Sequence, residues 1–104
     1  TISYHSSGEV IFWKYNQLNI ERDLSIANKI SKETGYDLEF EEEPVTGSGY
    51  KDWFVENYQK PGLTIEVSPY VGERKVPVEN YKDIFERNKN VPILFAQEVF
   101  YNTI

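Results

Sequence analysis

Two side chains able to take part in metal or acid–base chemistry lie far apart along this sequence. His5 is the only histidine of the chain, and the small hydroxyl residues Ser6 and Ser7 beside it leave room for a bound ligand. Glu66 lies near the end of the apolar segment from Leu63 to Val67, which predicts a buried strand. An imidazole can bind a metal ion. A carboxylate near a metal can take a proton from water and later pass it to a leaving amine.

Both residues also have a plain structural interpretation. A single histidine makes a poor metal site, because zinc takes three or four ligands, so its ring can simply be satisfied by a nearby backbone group. Alternation along a strand would turn Leu63, Ile65 and Val67 to the core and Glu66 to the opposite, solvated side. Spacing alone therefore leaves both interpretations open.

Other charged residues are weaker candidates. Lys51 lies between Tyr50 and Asp52 in a glycine-rich turn, where it could receive a substrate carboxylate. The commoner fate of a lysine is to be solvated at the surface. The acidic run over residues 39–43 could bind a cation, although such a run is more often a solvated edge.

Composition excludes several classes of protein. The chain has 104 residues, enough for one small domain, and a net charge of −6. An acidic chain repels phosphate backbones, so we expect no nucleic-acid partner. No apolar run is long enough to span a bilayer, so we expect no membrane partner. Cysteine is absent, which excludes disulfides and thiolate metal sites.

The hydrophobic pattern of the first half predicts a strand, a helix and a second strand. Continuous apolar residues predict a strand from Glu9 to Tyr15 that is covered on both faces. A stripe with helical spacing predicts an amphipathic helix from Arg22 to Thr34, ended by Gly35. Alternating apolar and acidic residues predict a half-exposed strand over residues 36–40.

The second half predicts two helical regions around one strand. Ser48 is a candidate cap for a short helix whose buried face would contain Trp53, Phe54 and Tyr58. The strand from Leu63 to Val67 follows, and residues 78–101 are helical by pattern, divided near Asn90 and Pro92. This order predicts an α/β fold with a partial, mixed, mostly parallel sheet and flanking helices.

Three strands and one set of helices would cover such a sheet only partly. We therefore expect a partner or a missing segment to complete the layer. The exposed sheet edge or apolar face also predicts a homo-oligomer.

Several segments together carry a family resemblance. They are His5-Ser6 before a strand, the turn Gly47-Ser48-Gly49-Tyr50-Lys51-Asp52-Trp53, the strand region Lys60-Pro61-Gly62-Leu63-Thr64-Ile65-Glu66 and the tail helix. Their order and spacing, including the 13 residues from Trp53 to Glu66, extend over essentially the whole chain. The chain resembles the C-terminal part of zinc carboxypeptidases of the carboxypeptidase A type. It is most similar to the bacterial γ-D-glutamyl-L-diamino acid peptidases, which act on peptidoglycan peptides.

The resemblance implies a role for each candidate residue. His5 corresponds to the third zinc ligand, and Glu66 to the general acid/base that activates the zinc-bound water. Lys51 falls where this family sets side-chain specificity. A lysine there would favour an acidic group on the substrate, such as the second carboxylate of diaminopimelate.

Two departures limit what the chain could do alone. The family's His-x-x-Glu pair, which supplies the first two zinc ligands, does not occur in this sequence, and neither does the upstream arginine that binds the substrate's terminal carboxylate. The mobile tyrosine that many members carry nine residues before the tryptophan is Pro44 here. We therefore expect residues 1–104 to be a C-terminal fragment of a catalytic domain, inactive by itself.

The expected partners follow from this interpretation. Zinc would be bound by the full-length enzyme but not tightly by this chain, and the missing N-terminal part and a peptide substrate would be its partners. The bacterial cytoplasm and the cell envelope both stay open as locations. The alternatives are a pseudo-enzyme or complementing subunit, or a non-catalytic α/β binding module. The last would be favoured if His5 and Glu66 lay far apart in space.

Overall fold

A computed structural model describes residues 1–40 and 49–103 of the chain. Its strands are β1 (Ile2–Ser6), β2 (Val10–Phe12), β3 (Asp37–Leu38) and β4 (Leu63–Val67). Its helices are α1 (Ile20–Thr34), α2 (Tyr50–Tyr58), α3 (Tyr81–Asn88) and α4 (Val91–Thr103), with a 3₁₀ turn at Val78–Asn80 before α3. The proposed cap Ser48, Pro44 and most of the acidic run lie outside the described residues.

The described strands form one sheet in the order β1-β4-β2-β3. β1 runs parallel to β4 and β2 runs parallel to β3, whereas β2 and β4 are antiparallel. The predicted α/β fold with a mixed, mostly parallel sheet is therefore confirmed. The prediction of three strands was wrong, because β1 is a fourth. Its sequence Ser3-Tyr4-His5-Ser6 is polar, and its pairing partner lies about sixty residues away along the chain.

β2 is shorter than predicted, and the expectation that it is covered on both faces was wrong. Ile11, Trp13 and Tyr15 are buried, whereas Val10 and Phe12 are only half-buried. The alternation places one face of the strand in the core and leaves the other partly open. Trp13 and Tyr15 keep their burial although they lie beyond the hydrogen-bonded ladder.

The hydrophobic core lies between one face of the sheet and two helices. The buried residues Ile11, Leu63 and Ile65 of the sheet pack in one cluster with residues of α1 and α4, namely Ile26, Ala27, Ile30, Val91 and Phe95. α1 confirms the predicted amphipathic helix, and it ends as predicted at Gly35. This glycine adopts the left-handed region at φ 78°, and its N–H donates to the Ser31 carbonyl at 2.8 Å.

α2 forms where a helix was predicted, but its predicted aromatic buried face was wrong. Val55 is the fully buried residue, whereas Trp53 and Tyr58 are 45% and 56% exposed. Val55 fits against Gly62, where a methyl group would come within 2.9 Å of its side chain. The aromatic rings pack on one another instead, with Phe54 and Tyr58 centroids 5.1 Å apart.

The helical tail is divided as the sequence predicts, between Asn88 and Val91, with Pro92 in the first turn of α4. α3 is fixed to the rest of the domain by Asn88, whose side-chain amide donates to the buried Tyr36 hydroxyl at 3.1 Å. Among the described helices, none is long and apolar enough to cross a membrane.

Candidate active site

His5 and Glu66 are direct neighbours across two parallel strands. In the β1–β4 ladder, His5 is the register partner of Glu66. Adjacent strands lie about 4.8 Å apart, so the two Cα atoms are separated by about that distance. Register partners in a parallel pair project from the same face of the sheet. The condition that would have favoured a binding module, a large separation of these residues, is not met.

The shared face is opposite to the one that builds the core. Leu63 and Ile65 are buried against the helices, whereas Glu66 is half-buried and His5 is exposed. Strand alternation places Ser3, Thr64, Val10 and Phe12 on the same face as the two site residues. An imidazole and a carboxylate thus stand side by side on a surface that a ligand can reach.

The pair lies toward the carboxyl ends of β1 and β4. In α/β sheets, ligands bind in the crevice outside the carboxyl ends of the parallel strands. Just beyond the ladder the two chain segments stay joined, because the Gly8 N–H donates to the Ser68 carbonyl at 2.9 Å. The geometry therefore places a carboxylate and an imidazole where this class of fold builds its sites.

A complete metal site is not present in the described parts of the chain. Within residues 1–40 and 49–103, no three side chains of His, Cys, Asp or Glu cluster so that they could hold a metal ion. Zinc in proteins takes three or four ligands. His5 supplies a suitable nitrogen, and the described residues alone do not fit a closed zinc site.

Lys51 does not join the His5–Glu66 pair. It lies in the first turn of α2 rather than in a turn before it, and its side chain is only 11% exposed. The ammonium donates to the Lys14 carbonyl at 2.5 Å and pairs with the Asp52 carboxylate at 2.6 Å. A lysine ammonium has three donors, and these two contacts within the described residues leave one of them for a further acceptor.

The Lys51 side chain lies against Gly62, which comes just before β4. A methyl group placed on Gly62 would be 3.4 Å from Lys51 Cγ. Gly62 is four residues before Glu66, which corresponds to about 13 Å along an extended strand. Lys51 thus lies near the amino-terminal ends of the strands, and an extended substrate would be needed to contact both it and Glu66.

Sequence reasoning missed a buried charged cluster beside Lys51. Asp23 is 1% exposed and accepts a hydrogen bond from Arg22 Nε at 2.8 Å. Burial raises the pKa of the Asp23 carboxyl, and the hydrogen bond and charge of Arg22 and the charge of Lys51 partly oppose this. Arg22 also donates to the Gln59 carbonyl at 2.9 Å, which ties α1 to the end of α2.

Comparison with known proteins gives two relatives. No family model matches the chain. The chain is 27% identical over 89 residues to "Gamma-D-glutamyl-L-diamino acid endopeptidase 1" of Lysinibacillus sphaericus, with 82% of this chain and 20% of that protein covered. The chain is a distant relative of a peptidase.

The second relative is the uncharacterized protein YqgT of Bacillus subtilis (strain 168). It is 23% identical over 90 residues, covering 86% of this chain and 23% of that protein. The chain therefore spans about a fifth of the length of the curated relatives it matches. The first of these matches supports a relation to a region of a peptidase.

Proposed function

We propose that this chain is the C-terminal part of the catalytic domain of a zinc metallopeptidase, of the carboxypeptidase A type, that cleaves the γ-D-glutamyl–diaminopimelate bond of peptidoglycan-type peptides. The observation that carries the proposal is the register pairing of His5 with Glu66 at the carboxyl ends of β1 and β4. The similarity to an endopeptidase named for the γ-D-glutamyl-L-diamino acid bond supports the choice of substrate.

In this proposal His5 provides one zinc ligand and the preceding part of the catalytic domain provides the others. Zinc, when bound, supplies Lewis-acid activation of the attacking water and of the scissile carbonyl. The chain alone is then inactive, because the described residues bring a single histidine and no further ligand cluster. Below, "the complete peptidase" means this chain together with that preceding part.

Glu66 acts as the general base and then as the general acid. Its carboxylate removes a proton from the water that attacks the carbonyl carbon, and the tetrahedral carbon then expels the amine. Glu66 returns the proton to the amine nitrogen, so that the carboxylate is restored at the end of the cycle. Its half-buried position beside His5 keeps the carboxylate within reach of a ligand on that face.

Lys51 is proposed to select substrates that carry an additional carboxylate. Its third ammonium donor can pair with the second carboxylate of diaminopimelate, while Asp52 and the Lys14 carbonyl hold the other two. Because Gly62 lies about 13 Å before Glu66 along β4, the substrate group that contacts Lys51 would lie away from the bond being cleaved.

The test of this proposal compares two substrates of the complete peptidase. We expect hydrolysis of a γ-D-glutamyl–diaminopimelate peptide, inhibited by a zinc chelator, and slower hydrolysis of the matched lysine peptide. Lys51→Glu should abolish the preference, a change of roughly 10- to 100-fold in the ratio of kcat/KM, since a hydrogen bond between charged groups contributes about 1.5–3 kcal/mol.

Lys51→Gln keeps the possibility of a hydrogen bond to the Lys14 carbonyl without the charge, so it should lose the preference with less disturbance of α2. Lys29→Glu, on an exposed position of α1, is the matched control and should leave the preference intact. A preference that survives both changes at Lys51 would refute its proposed role, and absence of chelator-sensitive hydrolysis would refute the proposed function.

A further inference from the structure

The residue that follows β4, Ser68, is buried in a backbone conformation that residues with a side chain rarely adopt. It is 1% exposed and has φ 72°. Glycine is the usual residue at such positions, because a Cβ atom crowds the backbone there. A buried serine in this conformation indicates that hydrogen bonds of its hydroxyl hold it there.

Ser68 connects three segments of the chain through hydrogen bonds. Its carbonyl accepts from the Gly8 N–H at 2.9 Å, just after β1. Its hydroxyl donates to the Pro69 carbonyl at 3.0 Å and accepts from the Asn80 side-chain amide at 3.2 Å. Asn80 ends the loop that Ser68 begins, so this last bond closes the loop at its base.

A second bond fastens the same loop to β1. The Val71 N–H donates to the Ser7 hydroxyl at 2.8 Å. Ser7 follows His5 by two residues, and Ser68 follows Glu66 by two residues. The loop over residues 69–80 is therefore attached to the chain two residues after each candidate site residue.

These bonds matter for the site because β1 is at the edge of the sheet in the described residues, with β4 as its neighbour. The ends of paired strands open more readily than their centres. The Gly8–Ser68 bond lies just past the last register pair, Ser6 with Val67. The relative placement of His5 and Glu66 thus depends on how stably the carboxyl ends of β1 and β4 stay hydrogen-bonded to each other.

We propose that Ser68 and Asn80 are positioning residues that hold the carboxyl ends of β1 and β4 together, and so keep His5 and Glu66 in the geometry that hydrolysis requires. This inference rests on the proposed function for its effect on catalysis. The hydroxyl–amide bond fixes the backbone of Ser68, and the Ser68 carbonyl in turn holds the exit of β1. A small displacement of reacting groups can cost as much as about 100-fold in rate.

The test uses Ser68→Gly and Asn80→Ala, singly and together. Ser68→Gly removes the hydroxyl and relieves the unfavourable φ, so the melting temperature should stay the same or rise. In the 104-residue chain, amide hydrogen exchange at Gly8 should become roughly tenfold faster in each variant, reflecting local opening. In the complete peptidase, kcat should fall roughly 10- to 100-fold with KM unchanged.

The double variant should be no worse than either single variant, because both changes remove the same hydrogen bond. Asn57→Ala is the matched control, since Asn57 is exposed on α2 and its amide donates to the nearby Trp53 carbonyl at 2.8 Å. It should leave Gly8 exchange and kcat at their original values.

Unchanged Gly8 exchange in both single variants would overturn the positioning role, whatever the activity. Faster exchange with an unchanged kcat would overturn its link to catalysis. If the unsubstituted peptidase hydrolyses no peptide, the proposed function fails by itself, and Gly8 exchange still decides whether Ser68 and Asn80 hold the strand ends.

Discussion

Replacing Glu66 with glutamine should lower hydrolysis by the complete peptidase roughly 10²- to 10⁴-fold, the contribution typical of a positioned general acid/base. Glutamine has nearly the same shape but cannot accept the proton of the attacking water. Glu66 is half-buried rather than part of the core, so the substitution should leave folding intact. The measurement is kcat/KM on the γ-D-glutamyl–diaminopimelate peptide, together with the zinc content of each preparation.

The matched control is Glu21→Gln, since Glu21 is an exposed glutamate in the first turn of α1. It should keep full activity. Retained activity in Glu66→Gln, at equal zinc content, would show that another group moves the proton. Loss of zinc together with activity would instead assign Glu66 to metal binding.

Replacing Ile65 with alanine should destabilise the domain by about 2–5 kcal/mol, the range for truncating a large aliphatic side chain in a core. Ile65 is fully buried in β4, the strand that pairs with both β1 and β2. Such a loss is a large share of the about 5–15 kcal/mol by which domains are stable. The free energy of unfolding, measured by chemical denaturation of the 104-residue chain, should show it.

The matched control is Ile93→Ala, the same chemical change at a side chain that is 69% exposed on α4. Its effect should stay within about 0.5 kcal/mol. Similar values for the two variants would contradict the placement of β4 at the centre of the sheet and of Ile65 in its core.

The elements with a clear hydrophobic period could be predicted from the sequence. α1 has an apolar stripe and a glycine end signal, and β4 is an apolar β-branched run bounded by Pro61-Gly62 and Ser68. β1 could not be predicted in this way, because an edge strand with one open face needs few apolar residues. The prediction that the aromatic rings of α2 face the core was wrong, because aromatic residues have the same spacing whether their rings face the core or pack on each other.

The candidate site was only partly visible in the sequence. Residue type and family resemblance singled out His5 and Glu66, but their adjacency arises from pairing between strands that are far apart along the chain. The partners of Lys51 depend on how α2 packs beside the segment that follows β2, which no local pattern encodes. Ser68 had no sequence signal beyond its place between a strand and Pro69, since a left-handed serine is set by tertiary contacts.

The central claim is the proposal that His5 is one ligand of a zinc site whose other ligands lie outside this chain, with Glu66 beside it as the general acid/base. Calorimetric titration of zinc into the metal-free complete peptidase, compared with its His5→Ala variant, tests this most directly. Changes around a metal site commonly cost 10- to 100-fold in affinity, so removal of a ligand itself should cost more than about 100-fold. Equal zinc affinity in the two proteins would contradict the claim, and so would tight one-to-one binding by the 104-residue chain alone.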